Sequence, residues 1–372
     1  MSKGKRRLDL AQFLDSQIES INESFQMMEA SAPAPSTLER VDWSQVTKLG
    51  DELSKQATVA GMLWGGEAPD AKALKENMST YFNVLQGFIL ICCGTTVGAG
   101  PTLHKCIHSS AKRVVDCSLS FFREAVSSYE SPKRSSLPKL TGEVWEACTA
   151  LKKAPSTNYT AIGRAMTQVA VYVKDILREM KELIAHVDSP GDSADRTSNE
   201  ALDTHSPGDS TDRTSNEALD TTCGSEHDED DNLSRDEITI VQLVISVASN
   251  TLAVIKEVIR FVTGLLKCSG HEIRTQDIVD SLERLLSFCQ EMADQVNDLG
   301  ACVYPPQDVS QMKSMIKIMY GVIRGMCREV ECLGGSPEAV FGAFEGFESS
   351  LKELESGLGD DDLVNELEKL SV

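Results

Sequence analysis

The sequence predicts an all-α fold in which two antiparallel helical bundles are joined by a disordered acidic linker. Through most of the chain, apolar residues recur every three or four positions, which is the spacing of amphipathic helices. The pattern stops between 188 and 233, where a 17-residue unit is written twice in tandem and followed by an acidic run. Because this segment has almost no large apolar residue, burial cannot offset the entropy cost of ordering it.

These observations divide the chain into an N-terminal bundle over 1–187, a linker over 188–233 and a C-terminal bundle over 234–372. The 372 residues suffice for two ordinary domains. The formal net charge of −21 is uneven: 1–187 carries +2, 188–237 carries −13 and 238–372 carries −10. Nucleic acids and anionic membranes attract clustered lysines and arginines, so this balance argues against both as partners.

Six helices are predicted in the N-terminal bundle, with approximate bounds 8–29, 43–64, 69–93, 101–122, 139–153 and 157–186. Pro33 and Pro35 break the chain after the first helix. The segment 94–101, GTTVGAGP, is predicted to be a turn between two helices. It lacks the Gly-Lys-Ser/Thr ending that a phosphate-binding loop requires.

Four long helices are predicted in the C-terminal bundle, with apolar stripes over 238–266, 278–299, 312–333 and 340–354, and a short acidic helix over 360–370. Ser234 and Glu237 form a capping-box signature in front of the first of them. That helix is rich in Val and Ile, but its spacing and its length favour a helix over strands. The methionine stripe at 312–326 fits either a helical core or an adaptable partner groove.

No catalytic, cofactor-binding or metal-binding residue is predicted. His104 and His108 have the spacing of zinc-binding helices, but Lys105 stands where a metalloprotease motif needs glutamate. Cys-x-x-Cys, nucleophile-elbow, kinase and dinucleotide motifs are also lacking from the sequence. We therefore expect a non-enzymatic protein without cofactors; an enzyme with no recognisable motif is the remaining alternative.

The cysteines and the lengths of the apolar runs indicate the cellular compartment. Eleven cysteines, an odd number, lie mostly on apolar helix faces. The start of the chain lacks the apolar core of a signal peptide, and no run of about 18 uninterrupted apolar residues predicts a spanning helix. We expect a reducing compartment, cytoplasmic and nuclear, and no membrane.

Two kinds of regulatory site are predicted. The segment 5–10, KRRLDL, resembles the basic-x-Leu-x-apolar peptide that cyclin-box proteins accept in a shallow apolar groove, with Arg6, Leu8 and Leu10 as the contacting residues. A solvated tail or a nuclear-import patch is the alternative for this segment. Possible phosphorylation sites lie in predicted loops and in the linker, at Ser131, Ser189, Ser206 and Ser225. The alternative for the linker is a plain spacer.

Three segments resemble the cyclin-D-binding protein family, also called cyclin-D-interacting or GCIP-type proteins. They are 100–122, which opens with GPTLHK; 141–155, which contains Val144-Trp145-Glu146-Ala147-Cys148 and is followed by Ser156-Thr157-Asn158; and 173–180, VKDILREM. The second half is similar in helix lengths and in its acidic close. The leader, the Cys-rich faces and the duplicated linker are more similar to a plant member than to an animal one.

The resemblance implies an all-helical interaction protein. Family members bind D-type cyclins, oppose cyclin-dependent kinase activity and associate with helix-loop-helix transcription regulators. No basic region precedes a helix-loop-helix in this sequence, so we expect no direct nucleic-acid contact. For Trp145 we expect a folding role on a packed helix. A helical scaffold of the talin and vinculin kind is the alternative function, and the oligomeric state is left open.

Overall fold

The computed structural model describes residues 3–30, 40–65, 70–129, 136–187, 233–268, 276–335 and 337–359. Within these ranges the chain forms ten α-helices and one short 3-10 helix at Leu151–Lys153, and it contains no strand, so the predicted all-α fold is confirmed. The helices are α1 Lys3–Ala30, α2 Trp43–Gly65, α3 Ala71–Thr95, α4 Pro101–Ser127, α5 Leu137–Ala150, α6 Asn158–Val187, α7 Arg235–Cys268, α8 Gln276–Cys302, α9 Val309–Leu333 and α10 Glu338–Gly357. Residues 188–232 of the linker predicted over 188–233 and the acidic helix predicted over 360–370 lie outside the described residues. Leu233, the last residue of the predicted linker, is buried in the second core.

Two of the C-terminal helices begin with side-chain caps that satisfy free backbone N–H groups. At α7 the Ser234 N–H donates to Glu237 Oε2 over 2.8 Å, and the Glu237 N–H donates to Ser234 Oγ over 3.3 Å, which confirms the capping box. The hydrogen bond from the Ser234 backbone holds the pKa of the Glu237 carboxyl below its usual value. At α9 the Asp308 side chain accepts from the Gln311 N–H over 2.9 Å.

The first core is built from α1 to α5 and centres on aromatic side chains. Phe122 lies at its middle and makes edge or tilted contacts with four rings, those of Trp64, Tyr81, Phe82 and Phe121. The buried Tyr81 hydroxyl is 2.8 Å from Ser118 Oγ, and burial raises the pKa of Tyr81 above its usual value. Because the polar end of Tyr81 has a partner, the ring can be fully buried without a large desolvation cost.

The second core contains α6 as well as α7 to α10. The apolar stripe of α6 packs against α7 and α8, and it contributes Ile162, Met166, Val173, Ile176, Leu177 and Met180 to this core. The sequence prediction grouped α6 with the first bundle and put the boundary at 187. In the structure α6 joins both cores: Ala161 is buried in the first core, and the stripe from Ile162 to Met180 is buried in the second. Amphipathic spacing predicts that a helix buries one face, but it does not specify which core receives that face.

Helices α6 and α7 run antiparallel. Tyr159 at the start of α6, Leu266 near the end of α7 and Leu282 near the start of α8 line the same cavity. At the opposite end, a Cβ placed on Gly300 of α8 would lie 3.4 Å from Ile176 of α6. The end of α6 and the start of α7 therefore lie at the pole of the second bundle that is remote from the first core.

Close packing between α8 and α9 depends on a glycine. A Cβ on Gly325 would lie 2.5–3.0 Å from three atoms of the Phe288 ring, whereas a Cβ on Gly321 of the same helix would meet nothing within 4 Å. We predict that Gly325→Ala lowers the free energy of unfolding by about 1–3 kcal/mol, because the core would be overpacked. Gly321→Ala should leave it unchanged or raise it by up to about 1 kcal/mol. Urea denaturation followed by circular dichroism measures both, and equal midpoints for the two variants would contradict the prediction.

Candidate functional site

The junction of the two cores is built around residues 151–157, the connection from α5 to α6, here called the strap. Its main-chain carbonyls accept hydrogen bonds from side chains that precede or begin α2. The Trp43 indole N–H donates to Leu151 O over 3.0 Å, and Arg40 Nη2 donates to Ser156 O over 2.9 Å. The strap is thus held against the first core at both of its ends.

Arg40 also binds the end of α3. Its Nε donates to Thr95 O over 2.8 Å, so one guanidinium joins carbonyls that are 61 residues apart in the chain. The neighbouring Val41 N–H donates to Gly94 O over 3.1 Å. A Cβ on Gly94 would lie 2.5 Å from Val41 Cγ2, so this close approach requires glycine. Arginine suits the position because its donors form a fixed fork.

The turn between α3 and α4 is fixed by the first residue of α6. Asn158 Nδ2 donates to Gly98 O over 2.9 Å, and Asn158 Oδ1 accepts from the Gly100 N–H over 2.8 Å. Gly98 has a φ of +69°, a conformation that favours glycine. The predicted turn at 94–101 is therefore observed, and it also carries the contact between the two cores.

A carboxylate from the second core reaches the start of α4. Glu283 Oε1 accepts from the Thr102 N–H over 2.9 Å, and Glu283 Oε2 accepts from Thr102 Oγ1 over 2.6 Å. A Cβ on Gly100 would lie 2.6 Å from Glu283 Oε1, so the approach depends on glycine as well. A negative group at the start of a helix is further stabilised by the helix dipole.

A cavity of about 510 Å³ lies at this junction, and both cores contribute to its wall. Its apolar lining comes from Val41, Trp43, Val97, Leu266, Ile278, Val279 and Leu282, together with the Tyr159 ring. Serine, threonine and asparagine side chains of the strap and of residues 44–47 and 158 line the rest, together with Arg40, Asp42 and Gly98. The cavity thus combines a largely apolar wall with a small number of polar side chains, which is typical of small-ligand sites. The arrangement suits noncovalent binding.

The residues of the predicted docking segment lie on α1 and are not presented together. Arg6 is exposed, and Leu8 is 60% exposed on the outer face of the helix. Leu10 is fully buried in the first core. Docking through both leucines would therefore require the first turns of α1 to leave the core. All four possible phosphorylation sites lie outside the described residues: Ser131, Ser189, Ser206 and Ser225.

The two spaced histidines contact α1. His104 Nε2 lies 3.3 Å from Met28 O, and the His108 ring centroid lies 4.8 Å from that of Phe25. Across the described ranges, no three His, Cys, Asp or Glu side chains are grouped as a metal site would require. The nine cysteines whose side chains are described are free thiols. Burial raises the pKa of Cys148 and of Cys289 to about 12, so at neutral pH these thiols are not the thiolates that act as nucleophiles.

Trp145 joins two helices while part of its ring faces solvent. Its indole N–H lies 3.2 Å from Ser54 O and 3.1 Å from Thr58 Oγ1 of α2, and the side chain is 43% exposed. The prediction of a packed helix holds for the neighbouring Val144 and Cys148, which are buried. For Trp145 itself, a structural role and an exposed aromatic surface coexist.

Two helices, α3 and α7, are long and apolar enough to cross a membrane by length and composition alone. In each, 44% of the most apolar 18-residue window is buried inside the protein. These buried faces form parts of the first and second cores, which explains their apolar composition.

These features define the class of protein: a two-core helical protein whose described sites suit binding to other molecules. A family model described as "Grap2 and cyclin-D-interacting, N-terminal" matches residues 45–186, and its C-terminal counterpart matches 208–328. Together the two matches cover more than half of the chain. The chain therefore belongs to the Grap2 and cyclin-D-interacting family, as the resemblance predicted.

Individual relatives are distant. A protein named "Cyclin-D1-binding protein 1 homolog" from Xenopus laevis is 22% identical over 62% of this chain and 64% of its own length. "Cyclin-D1-binding protein 1" of Bos taurus is 23% identical over 56% and 52%, and that of Homo sapiens is 20% identical over 71% and 68%. The chain thus spans between about half and two thirds of the length of these three relatives.

Two of the segments that carry the resemblance meet at the junction. The opening of 100–122 contains Gly100 and Thr102. The end of 141–155, with the Ser156-Thr157-Asn158 that follows it, forms the strap and the start of α6. Sequence reasoning missed Arg40 and Glu283, because neither belongs to a motif. Two features of the sequence could have drawn attention to the junction: the glycine-rich turn at 94–100 and the single arginine, Arg40, that precedes Trp43. Neither feature identifies the group with which Arg40 or Glu283 forms hydrogen bonds.

We predict that Arg40→Lys loosens the junction, because an ammonium group cannot reach two carbonyls with the fork geometry of a guanidinium. The loss of one hydrogen bond to a charged group should lower the free energy of unfolding by about 1–3 kcal/mol. Hydrogen exchange should accelerate in the strap and at residues 94–98. The control is Lys48→Arg, the reverse exchange at an exposed position of α2. It should alter neither the free energy of unfolding nor the exchange rates. An unchanged exchange rate in the strap of Arg40→Lys would contradict the prediction.

Proposed function

We propose that this protein is a non-enzymatic regulator that binds a D-type cyclin and thereby restrains cell-cycle progression or transcription. The observation that carries the proposal is the match of both halves to the cyclin-D-interacting family, supported by relatives whose names state cyclin-D1 binding. The junction cavity, the free thiols of raised pKa and the exposed apolar side chains are consistent with binding rather than catalysis. Association with helix-loop-helix regulators is part of the same proposal.

We also propose the cellular compartment in which the protein acts and the surface that contacts the cyclin. Free cysteines throughout the described helices favour a reducing compartment, and we place the activity in the cytoplasm and nucleus. Leu8 supplies an exposed apolar contact next to the basic residues at 5–7, and it is the leucine of the predicted docking peptide that is accessible while Leu10 is buried. A helical scaffold of the talin and vinculin kind is the competing function, because long antiparallel helices serve it equally well.

Binding of the full chain to an immobilised D-type cyclin, measured by biolayer interferometry, tests the proposal. We expect saturable binding, whereas the scaffold function predicts none. Leu8→Ala should weaken binding about tenfold, which corresponds to about 1.4 kcal/mol. Leu90→Ala, which truncates a leucine of similar exposure on α3, is the matched control and should bind as the parent does.

The outcomes separate the function from the surface. If the cyclin does not bind, the proposed function is wrong. If it binds and Leu8→Ala has no effect, the function stands and the docking segment does not. If Leu8→Ala and Leu90→Ala weaken binding equally, the effect is not specific to the segment 5–10.

A further inference from the structure

Helix α1 lies in a groove between α3 and α4. It runs parallel to α3, because Asp9 pairs with Lys75 at 2.7 Å, and further along Ser20 and Ser24 lie 3.4 and 3.3 Å from the Gln86 amide nitrogen. It runs antiparallel to α4, because Phe25 contacts His108 and the later Met28 contacts His104. The groove therefore holds a helix in one defined direction and register.

The seam that α1 presents to this groove has the spacing of a coiled coil. Its residues follow one another at intervals of four and three: Leu10, Leu14, Gln17, Ile21, Ser24 and Met28. The four apolar ones are at most 4% exposed. The other two positions are polar, and polar residues in such a seam fix register while reducing stability.

The anchoring of α1 is sparse in comparison with its neighbours. Five of its 25 residues with described side chains are buried, and one of the five is Ser24; α4 buries eleven of 27. Helix α1 also lies outside the family match at 45–186, whereas α3 and α4 lie inside it. The walls of the groove thus belong to the matched part of the chain, and the helix that fills the groove does not.

We propose that the groove between α3 and α4 is a binding site for an amphipathic helix of a protein partner, and that α1 is its exchangeable internal occupant. The partner helix carries apolar residues at the spacing of Leu10, Leu14, Ile21 and Met28. A partner with apolar residues at all six seam positions would bind more tightly than α1, since α1 has polar residues at two of them. The proposal rests on the proposed function, because it names where a protein partner binds.

Exchange also removes the obstacle that the burial of Leu10 poses to docking through residues 5–10. While α1 occupies the groove, Leu10 is hidden and only Leu8 of the docking pair is exposed. When a partner helix takes the groove, the N-terminal turns of α1 become free and both leucines are available. Occupation of the groove and docking through residues 5–10 are thereby coupled.

The first test uses a fluorescent synthetic peptide of residues 3–30 and the full chain, with binding followed by fluorescence anisotropy. Leu14→Ala in the protein weakens the internal helix, so the peptide should bind this variant at least tenfold more tightly than the parent. Leu53→Ala, an equally buried leucine on α2, is the control and should change the affinity by less than twofold. Failure of the peptide to bind Leu14→Ala, or equal gains for both variants, would overturn the proposal.

The second test does not disturb the core. Lys75→Glu places like charges opposite Asp9 of the internal helix, so a peptide that carries Asp9→Lys should bind this variant about five- to tenfold more tightly than it binds the parent protein. The unaltered peptide should show no such gain. If the two peptides do not discriminate, the peptide does not occupy the groove in the register of α1, and the proposal is wrong.

Addition of an immobilised D-type cyclin separates this inference from the proposed function. Tighter cyclin binding by Leu14→Ala, but not by Leu53→Ala, supports both. Peptide exchange without cyclin binding supports the groove and overturns the proposed function. Cyclin binding without peptide exchange overturns the groove and leaves the function intact.

Discussion

The arrangement of the molecule depends on hydrogen bonds from side chains to main-chain carbonyls at the end of α3 and in the strap. The donors come from segments that are distant in the sequence. Arg40 is the central case, since its guanidinium binds the carbonyls of Thr95 and Ser156 at once. Each core buries mainly the apolar stripes of its own helices, and α6 contributes Ala161 to the first core and the rest of its stripe to the second. What sets their relation is a small set of polar contacts with defined geometry, to which Asn158 and Glu283 add two more. Such contacts are directional, so they fix orientation in a way that apolar burial does not.

Much of the fold was predictable from sequence because helix formation is encoded locally. The stripe of α7 and the Ser234–Glu237 cap specify that helix almost to the residue, and the turn at 94–101 follows from its glycines and Pro101. Which helices share a core was not predictable, as α6 shows. Its amphipathic pattern is equally compatible with either bundle, and the choice depends on the path of the strap and on shape complementarity between side chains.

The candidate site was less predictable than the fold. Arg40 and Glu283 are ordinary charged residues whose role arises only when segments far apart in the chain are brought together. Leu10 belongs to two sequence patterns at once: the docking peptide at 5–10 needs this residue exposed, whereas the helical stripe of α1 buries it in the first core. Trp145 lies between these cases, since its contact with α2 could not be read from a motif and its partial exposure did not follow from its size.

The position of the connection between α6 and α7 has a consequence for how the chain can change in length. The end of α6 and the start of α7 lie at the pole of the second bundle remote from the strap, so the two points between which residues 188–232 are inserted lie away from the junction. Copying 17 residues there raises the loop-closure cost by only about 0.4 kcal/mol, because that cost grows with the logarithm of length. Neither core has to be repacked. A tandem duplication at this place is therefore nearly neutral for folding, and the same pole can accept further copies.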